Sequence, residues 1–315
     1  MDCFYLGLFI MSQDKRNPPK FKQRDDRGRR MYPSDLRYRK HRKLTQKDYD
    51  CLEDRYKHLI NHDFDTLDAR INECVKTGGK TIDLSHLDLT NFPSNIPLTV
   101  ENMFVEGNML TRLPSLSQFT RLKVLDLSSN QLSILPTLPR LTELMIRNNR
   151  FKKIGTLPAS LERFDCSHNR ITDIKPGVLN ISVLECSYNQ LSRLPLFNTL
   201  IKLSCQSNKL SAIPSYPRLE NLDCKNNMIH VLPQLDNLKE LLCDFNRLRT
   251  IHQFPRMRYL YCANNPHLKM IKYQPRLDEL ECDNRPIGIH REFKVVKIEK
   301  GKKKIRIRFS PVKSN

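Results

Sequence analysis

Residues 181–195 read ISVLECSYNQLSRLP and carry the pattern that decides the fold. The fixed positions of the spacing LxxLxLxxN are here Ile181, Leu184, Cys186 and Asn189. The same pattern recurs along the chain, and its asparagines are Asn108, Asn130, Asn149, Asn169, Asn189, Asn208, Asn227, Asn246 and Asn265. Successive asparagines are 19 to 22 residues apart. Such regular spacing predicts a series of stacked structural repeats.

The residue types within each repeat predict one short strand. Side chains alternate across a strand, so the LxL pair points into the core and the residues beside it point outward. The asparagine follows the strand because its amide can donate to and accept from the backbone of a turning chain. Nineteen or twenty residues leave no room for a full helix on the return path, and steps such as Leu135-Pro136 favour an extended segment there. A unit this small closes no core alone, so neighbours must stack into a solenoid.

This spacing resembles the leucine-rich repeat and covers about two-thirds of the chain. The short 19–20-residue repeats with LPxLP steps resemble the repeat domains of bacterial type III-secreted effectors. The segment Thr81–Pro97, with Leu87 in the asparagine position, looks like the first repeat of that group. The cysteine-bearing strands and the Lys-, Asn- and Ile-rich flanks are similar to leucine-rich-repeat proteins of giant DNA viruses. The resemblance implies an α+β repeat solenoid, a horseshoe with a parallel concave sheet and an extended convex side.

Composition divides the chain into four segments. Residues 1–44 are rich in lysine and arginine without aliphatic periodicity, which predicts a disordered basic tail. Residues 45–80 carry apolar positions at helical spacing before two glycines, so we expect a helical hairpin that caps the first edge of the sheet. Residues 81–290 form the solenoid of about ten to eleven repeats. Residues 291–315 alternate apolar and basic side chains around a Lys-Gly turn, which predicts a basic β-hairpin cap followed by a tail.

Charge is concentrated at the two ends of the chain. The formal net charge is +20, of which residues 1–44 and 291–315 contribute +8 each. No apolar run approaches the ~20 residues of a membrane-spanning helix. The apolar stretch Cys3–Met11 has neither the preceding basic residue nor the following cleavage site of a signal peptide, and Met11 is an alternative start residue to Met1. We therefore expect an intracellular protein with no membrane span.

Seven cysteines occupy the sixth position of LxxLxLxxN: Cys166, Cys186, Cys205, Cys224, Cys243, Cys262 and Cys282. Free cysteine packs well in such a buried slot as a small apolar residue. Metal ligands must converge on one point, whereas one cysteine per repeat lies along a line of ~4.8 Å steps. Parallel side chains on neighbouring strands also suit disulfide torsions badly. We interpret this cysteine column as core packing in a reducing compartment.

No catalytic or cofactor motif fits the chain. The segment Thr77–Thr81 (TGGKT) resembles the end of a phosphate-binding loop, but it lacks the first glycine and joins a helix to a strand. The candidate zinc ligands are Cys51, His58, His62 and Cys74. They lack the closely spaced pair that opens such sites. The similar effectors often carry a C-terminal ubiquitin-ligase domain with a cysteine nucleophile, whereas the last cysteine here is Cys282. We predict a non-enzymatic protein with no metal, no cofactor and no small-molecule substrate.

The third, fifth and seventh positions of LxxLxLxxN point outward onto the concave face. Acidic residues outnumber basic ones there by eleven to four, and the acids expected to contact a partner are Asp126, Asp165, Glu185, Asp223 and Glu281. Near the C-terminal end these columns turn apolar at Leu242, Tyr259 and Tyr261, with Phe245 one position further along its repeat. Clustered exposed aromatic residues are typical of binding hot spots. We predict that a protein with a basic or mixed surface binds here; a merely solvated strand face is the alternative.

Basic residues form two rows along the edges of the repeats. Those directly before the first apolar residue are Arg121, Arg140, Arg218, Arg256 and Arg276, and those directly after the asparagine are Arg150, Arg170, Lys209 and Arg247. Such rows can contact phosphates, so a nucleic-acid-associated protein using its basic tails and rims is the alternative function. A third hypothesis places a basic tail on the acidic face of the same chain. The leading hypothesis is a protein-interaction module, of viral or pathogen origin, that engages host proteins in the host cytoplasm.

Overall fold

The computed structural model describes residues 66–175, 180–283, 288–289, 295–300 and 304–309. The chain divides into two compact units, residues 1–70 and 71–315, and the second contains the strands described below. The predicted basic tail, the first helix of the predicted hairpin and three of the four candidate zinc ligands lie before residue 66, outside the described residues.

One helix and sixteen strands make up the described secondary structure. Helix α1 is Leu67–Lys76, and the strands are β1 (Thr81–Asp83), β2 (Asn102–Phe104), β3 (Val124–Asp126), β4 (Glu143–Met145), β5 (Arg163–Asp165), β6 (Val183–Glu185), β7 (Lys202–Ser204), β8 (Asn221–Asp223), β9 (Glu240–Leu242), β10 (Thr250–Ile251), β11 (Tyr259–Tyr261), β12 (Met270–Ile271), β13 (Glu279–Asp283), β14 (Gly288–Ile289), β15 (Val295–Lys300) and β16 (Lys304–Phe309). Strands β1–β9, β11 and β13 pair in parallel, each with the next, within one sheet. The predicted parallel-sheet solenoid is confirmed.

Equivalent positions of successive repeats form continuous rows. Leu184 pairs with Leu203, and Leu203 pairs with Leu222, in unbroken register. The fourth and sixth positions of the repeat are buried throughout, as at Leu184 and Cys186. Burying each leucine stabilises the fold by about 1.5–3 kcal/mol, so these inward rows supply the core. The third and fifth positions that alternate with them remain partly exposed and form the opposite face of the sheet. The seventh position is buried at Ser128, Ser167, Asp244 and Ala263.

A left-handed turn follows each strand. The residue directly before the asparagine has φ between 52° and 57° at Ser129, Asn148, His168, Tyr188, Ser207, Asn226, Phe245 and Asn264. The asparagine then joins two repeats: its Nδ2 donates to a carbonyl of the preceding repeat at 2.8–3.0 Å, at all nine positions from Asn108 to Asn265. Asn189, for example, donates to Cys166 and Cys186 and accepts from the amide of Ile171 at 2.9 Å.

The return path of each repeat is extended, as predicted. Strands β10, β12 and β14 form a second, three-stranded parallel sheet on this side. Large side chains fill the space between the return path and the main sheet. Phe197 and Tyr216 stack with ring centroids 6.4 Å apart, and the Tyr216 hydroxyl donates to the Pro195 carbonyl at 2.9 Å. Bulky residues on the return path therefore close the core without a helix.

The two ends of the repeat series differ. Helix α1 ends in a Schellman motif, in which the amide of Gly79 donates to the Cys74 carbonyl at 2.7 Å and both Gly78 and Gly79 have positive φ. At the other end, β13 pairs antiparallel with β16, and β16 pairs antiparallel with β15. The predicted C-terminal β-hairpin is confirmed and becomes the last two strands of the main sheet.

Candidate functional site

The outward third, fifth and seventh positions of the parallel strands form a surface that we call the sheet face. Each strand holds its outward side chains in register with those of its neighbours, because the parallel ladder has no shift from β1 to β13. The horseshoe fold places this surface on its concave side. The structure thus brings the predicted acidic residues and the predicted aromatic residues onto one continuous sheet.

Acidic residues on the sheet face contact basic residues on the same or neighbouring strands. Lys202 Nζ lies 3.0 Å from Glu185, and Lys225 Nζ lies 3.2 Å from Asp223. These pairs are partly exposed, so each contributes at most about 1 kcal/mol to stability. Their larger effect is on the surface potential, because a paired acid attracts a basic partner less strongly than an isolated one.

The fifth-position aspartates also have a local role in the turn. Asp126 and Asp165 each accept the backbone amide of the residue two positions on, at 2.8 and 2.9 Å. Burial raises the pKa of Asp165, and the amide of Ser167 opposes that rise. One oxygen of each carboxylate is therefore engaged by the turn, which leaves the other oxygen as the one that a partner would meet.

Four apolar side chains lie near the C-terminal end of the sheet face or in the turn beside it: Leu242, Phe245, Tyr259 and Tyr261. We call them the aromatic patch. Tyr261 lies beside Leu242 in the ladder, and Phe245 follows in the turn after β9. Tyr259 is 38% exposed and Phe245 is 56% exposed, while Leu242 and Tyr261 are half-buried. The structure therefore places Leu242, Tyr259 and Tyr261 on two adjacent strands of the sheet face and Phe245 in the turn that follows β9.

Polar contacts hold the two tyrosines in place. The Tyr261 hydroxyl donates to Glu279 at 3.0 Å, and burial together with this acidic neighbour raises the pKa of Tyr261 to about 12. The guanidinium of Arg258 lies 5.7 Å from the ring centroid of Tyr259 and is bonded to Asp278 at 2.7 Å. Rings fixed in this way lose little conformational entropy when a partner binds.

The C-terminal hairpin adds basic side chains to the sheet face. Arg306 on β16 lies 2.8 Å from Glu281 and 3.4 Å from Glu279, and Arg308 lies 3.4 Å from Glu279. The expected partner-contacting acid Glu281 is thus bonded within the chain. The excess of acids on the extended sheet falls from seven to five when these two arginines are counted. The alternation IRIRF already places both arginines on one side of β16, but their partners depend on how β16 pairs.

A stacked aromatic pair beside the sheet face was not anticipated from the sequence. His168 and Tyr188 occupy equivalent turn positions in neighbouring repeats, and their rings stack at 4.3 Å with an interplanar angle of 20°. Gln206 in the next repeat donates to the Tyr188 hydroxyl at 3.0 Å. The signal in the sequence is the residue directly before each asparagine, which carries a ring at 168, 188 and 245.

The seven cysteines of the column are buried and carry free thiols. Burial raises the pKa of Cys166, Cys186, Cys205, Cys224 and Cys243 above the usual range. A protonated, buried thiol is neither a nucleophile nor a metal ligand. Across the residues that the structure describes, no cluster of histidine, cysteine or acidic side chains is arranged to hold a metal, and no helix is long and apolar enough to cross a bilayer.

Known proteins share this combination of repeat and sheet. Residues 120–159 match the family model described as leucine-rich repeats in two copies. The chain therefore contains leucine-rich repeats. A curated human relative, podocan-like protein 1, is 30% identical over 117 residues, which are 36% of this leucine-rich-repeat chain and 20% of that protein. The chain therefore spans about a fifth of the length of that relative.

Solved structures show the same fold. The leucine-rich effector YopM of Yersinia pestis superposes with a TM-score of 0.56 at 24% identity, over 70% of this leucine-rich-repeat protein and 71% of YopM. The functional domain of InlJ from Listeria monocytogenes, which includes a cysteine ladder, gives 0.54 at 24% identity, over 66% of this chain and 54% of that one. At these identities the likeness establishes the fold alone.

Proposed function

We propose that this leucine-rich-repeat protein is a non-enzymatic interaction module that binds a protein partner on its sheet face. The observation that carries the proposal is the aromatic patch. Half-exposed aromatic rings on a rigid sheet combine large contact area with low entropy loss, which is the usual composition of a hot spot. Asp223 and Glu240 border the patch on neighbouring strands, so an apolar segment that also carries basic residues complements it best.

The cellular setting belongs to the same proposal. The free, buried cysteine column fits a reducing compartment, since an oxidising one favours disulfides. The resemblance of the short LPxLP repeats to effector domains supports a viral or pathogen protein that engages a host protein inside the cell. A nucleic acid is the weaker candidate for the sheet face, because the surplus of carboxylates there repels phosphates.

Affinity capture with matched variants tests the proposal. The sheet-face variant is Tyr259→Ala with Tyr261→Ala, and the control is Val231→Ala with Met270→Ala. The control residues are 58% and 50% exposed and lie on the return side of the repeats. We expect captured proteins to fall at least about tenfold with the sheet-face variant and to be unchanged with the control.

Folding is monitored alongside by thermal unfolding, because Tyr261 also bonds Glu279. If the wild type and the sheet-face variant captured equal amounts of protein, the aromatic patch would be excluded as the binding site. Loss with the control variant instead would move the site to the return side.

A further inference from the structure

We propose a second contact site, separate from the aromatic patch, that binds a short acidic segment of a polypeptide through its carboxylates. The site is formed by Arg147, Arg150, His168, Arg170, Tyr188, Gln206 and Lys209, and we call it the donor rim. It runs along the turns that follow β4, β5, β6 and β7. Its distinguishing property is a concentration of hydrogen-bond donors and positive charges at the seventh, eighth and tenth positions of these repeats, which carry no acidic residue. The carboxylate of Asp165, at a fifth position, interacts electrostatically with Arg147 and His168.

The donor rim is a regular structure because the turns are joined by backbone hydrogen bonds. The amide of Arg170 donates to the Phe151 carbonyl at 2.9 Å, and the amide of Lys209 donates to the Leu191 carbonyl at 2.8 Å. Equivalent residues of adjacent repeats therefore lie about 4.8 Å apart. Arg150 to Lys209 spans three such steps, or about 14 Å, which matches roughly four residues of an extended peptide.

The stacked rings provide further donors at the centre of the rim. Tyr188 is 45% exposed, and its hydroxyl oxygen accepts from Gln206 at 3.0 Å. As the acceptor in that bond, the hydroxyl keeps its own proton to donate to a carboxylate. The ring of His168, stacked on Tyr188 at 4.3 Å, holds the hydroxyl in position.

Charge separates the donor rim from the third and fifth positions of the sheet face; the rim residues Arg147 and Gln206 lie in the seventh row of that face. From 147 to 209, the seventh, eighth and tenth positions of the repeats contain no aspartate or glutamate: Arg147, Asn148, Arg150, Ser167, His168, Arg170, Ser187, Tyr188, Gln190, Gln206, Ser207 and Lys209. The cations of the sheet face are arranged differently, since Lys202 is bonded to Glu185 and Arg163 lies 3.5 Å from Glu143. An anionic ligand is therefore attracted to the rim rather than to the strands.

The turn conformation does not itself favour an aromatic ring at Tyr188. His168 and Tyr188 have φ of 55° and 56°, in the left-handed region. Histidine is among the residue types enriched there, whereas the bulkier tyrosine adopts it only at a cost. At the same turn other repeats have Gly107, Asn148, Asn226 or Asn264, which adopt it more easily, but also Ser129, Ser207 and Phe245. A side chain kept in an unfavourable conformation at the surface is more readily explained by a contact with a ligand.

A polypeptide fits the rim better than a nucleic acid does. A phosphate backbone carries its charge without interruption, so a strand long enough to bind would also pass the carboxylates of the sheet face. A short run of glutamates or aspartates confines its charge to the four repeats of the rim. The acids at the third and fifth positions, Glu143, Asp165 and Glu185, then orient the peptide by repelling it from the strands.

Fluorescence anisotropy with a labelled hexaglutamate peptide tests the donor rim in the full chain. The rim variant is Arg150→Glu with Arg170→Glu, and the control is Arg140→Glu with Arg218→Glu. All four arginines are exposed, and the two variants change the net charge equally. We expect the rim variant to weaken hexaglutamate binding at least about tenfold and the control less than about twofold.

Three more measurements distinguish the donor rim from general charge and from a nucleic-acid site. Tyr188→Phe, which removes only the hydroxyl, should weaken hexaglutamate binding a few-fold. Tyr259→Ala should leave hexaglutamate binding unchanged, because the donor rim and the aromatic patch are separate sites; this result is expected whether or not the aromatic patch binds a protein. Equal losses with the rim variant and the control would show that general charge, not the rim, binds the peptide, and would overturn the proposal. The proposal would also be overturned if a single-stranded oligothymidylate of equal charge bound more tightly than hexaglutamate and if its binding depended on Arg150 and Arg170.

Discussion

At the scale of the residue, the asparagine that ends each strand determines how one repeat is joined to the next. Asn227 shows the full set: its Nδ2 donates to the carbonyls of Cys205, Cys224 and Lys225, and its Oδ1 accepts from the amide of Leu210 at 3.0 Å. The side chain is buried, so water cannot replace these bonds. One side chain thus satisfies backbone groups of two repeats that no regular ladder would reach.

Removing this amide should destabilise the whole solenoid. We expect Asn227→Ala to lower the free energy of unfolding by about 2–4 kcal/mol, because several buried backbone groups lose their partner together. Asn198→Ala is the control, since Asn198 is exposed, and it should change stability by less than about 0.5 kcal/mol. Urea denaturation followed by circular dichroism measures both. Similar losses for the two variants would contradict a linking role for Asn227.

At the scale of the element, the C-terminal hairpin converts an open edge of the sheet into a paired one. Strand β16 continues the ladder of β13 over five residue pairs, from Glu279 with Arg308 to Asp283 with Lys304. Ile307 and Phe309 are buried on the inner side, while Arg306 and Arg308 point to the sheet face. The hairpin therefore covers the last repeat with apolar contacts and matches its acids with arginines.

The two arginines of β16, Arg306 and Arg308, should differ in how much they stabilise the C-terminal hairpin. Arg306 reaches both Glu279 and Glu281, which are largely buried, whereas Arg308 makes one longer and more exposed contact. We expect Arg306→Gln to destabilise the hairpin by about 1 kcal/mol, because Glu281 loses its 2.8 Å ion pair and Glu279 loses one of its two arginine contacts, and Arg308→Gln to have less than half that effect. Amide hydrogen exchange of β15 and β16 reports the difference. Equal exchange rates in the two variants would show that the pairing of Arg306 is incidental.

At the scale of the whole molecule, the cysteine column makes stability depend on alkaline pH. Burial raises the pKa of Cys166, Cys186, Cys205, Cys224 and Cys243 in the folded chain. In the unfolded chain these thiols ionise near pH 9. Above that pH the unfolded state has released protons that the folded state still holds. The stability that the column provides is therefore complete below about pH 9 and is lost progressively as pH rises.

The expected loss of folding stability between neutral pH and pH 10 is large. At pH 10 each of the five thiols disfavours the folded state by about 1.4 kcal/mol relative to neutral pH, so together they lower the free energy of unfolding by about 7 kcal/mol. Domains of ordinary stability have about 5–15 kcal/mol. Urea denaturation at pH 8 and pH 10 measures the change, and Cys205→Ala with Cys224→Ala should reduce the pH slope by about two protons. A double variant with an unaltered slope would show that other groups cause the alkaline sensitivity.

The periodic sequence was sufficient to predict the solenoid. Inward rows such as Leu184 and Leu203 follow from a repeat of constant length. Each leucine is buried by its own repeat and the two neighbouring ones, so its burial depends little on the conformation of segments that are distant in the sequence. Strand alternation is a local property too, so it was enough to assign Tyr259 and Tyr261 to one outward surface. The C-terminal hairpin was predictable for the same reason, from alternating apolar and basic residues.

Which charges meet was decided only by the tertiary structure. The sequence determined the rows of the repeat, because each row is repeated locally every 19 or 20 residues. The pairing of Arg306 with Glu281 depends on the register between β13 and a hairpin more than twenty residues away. The stack of His168 on Tyr188 depends on a left-handed turn that brings two side chains together across a repeat boundary. Such contacts follow from the position of the backbone in space: the periodicity places His168 and Tyr188 at equivalent positions, but it does not show that their rings stack.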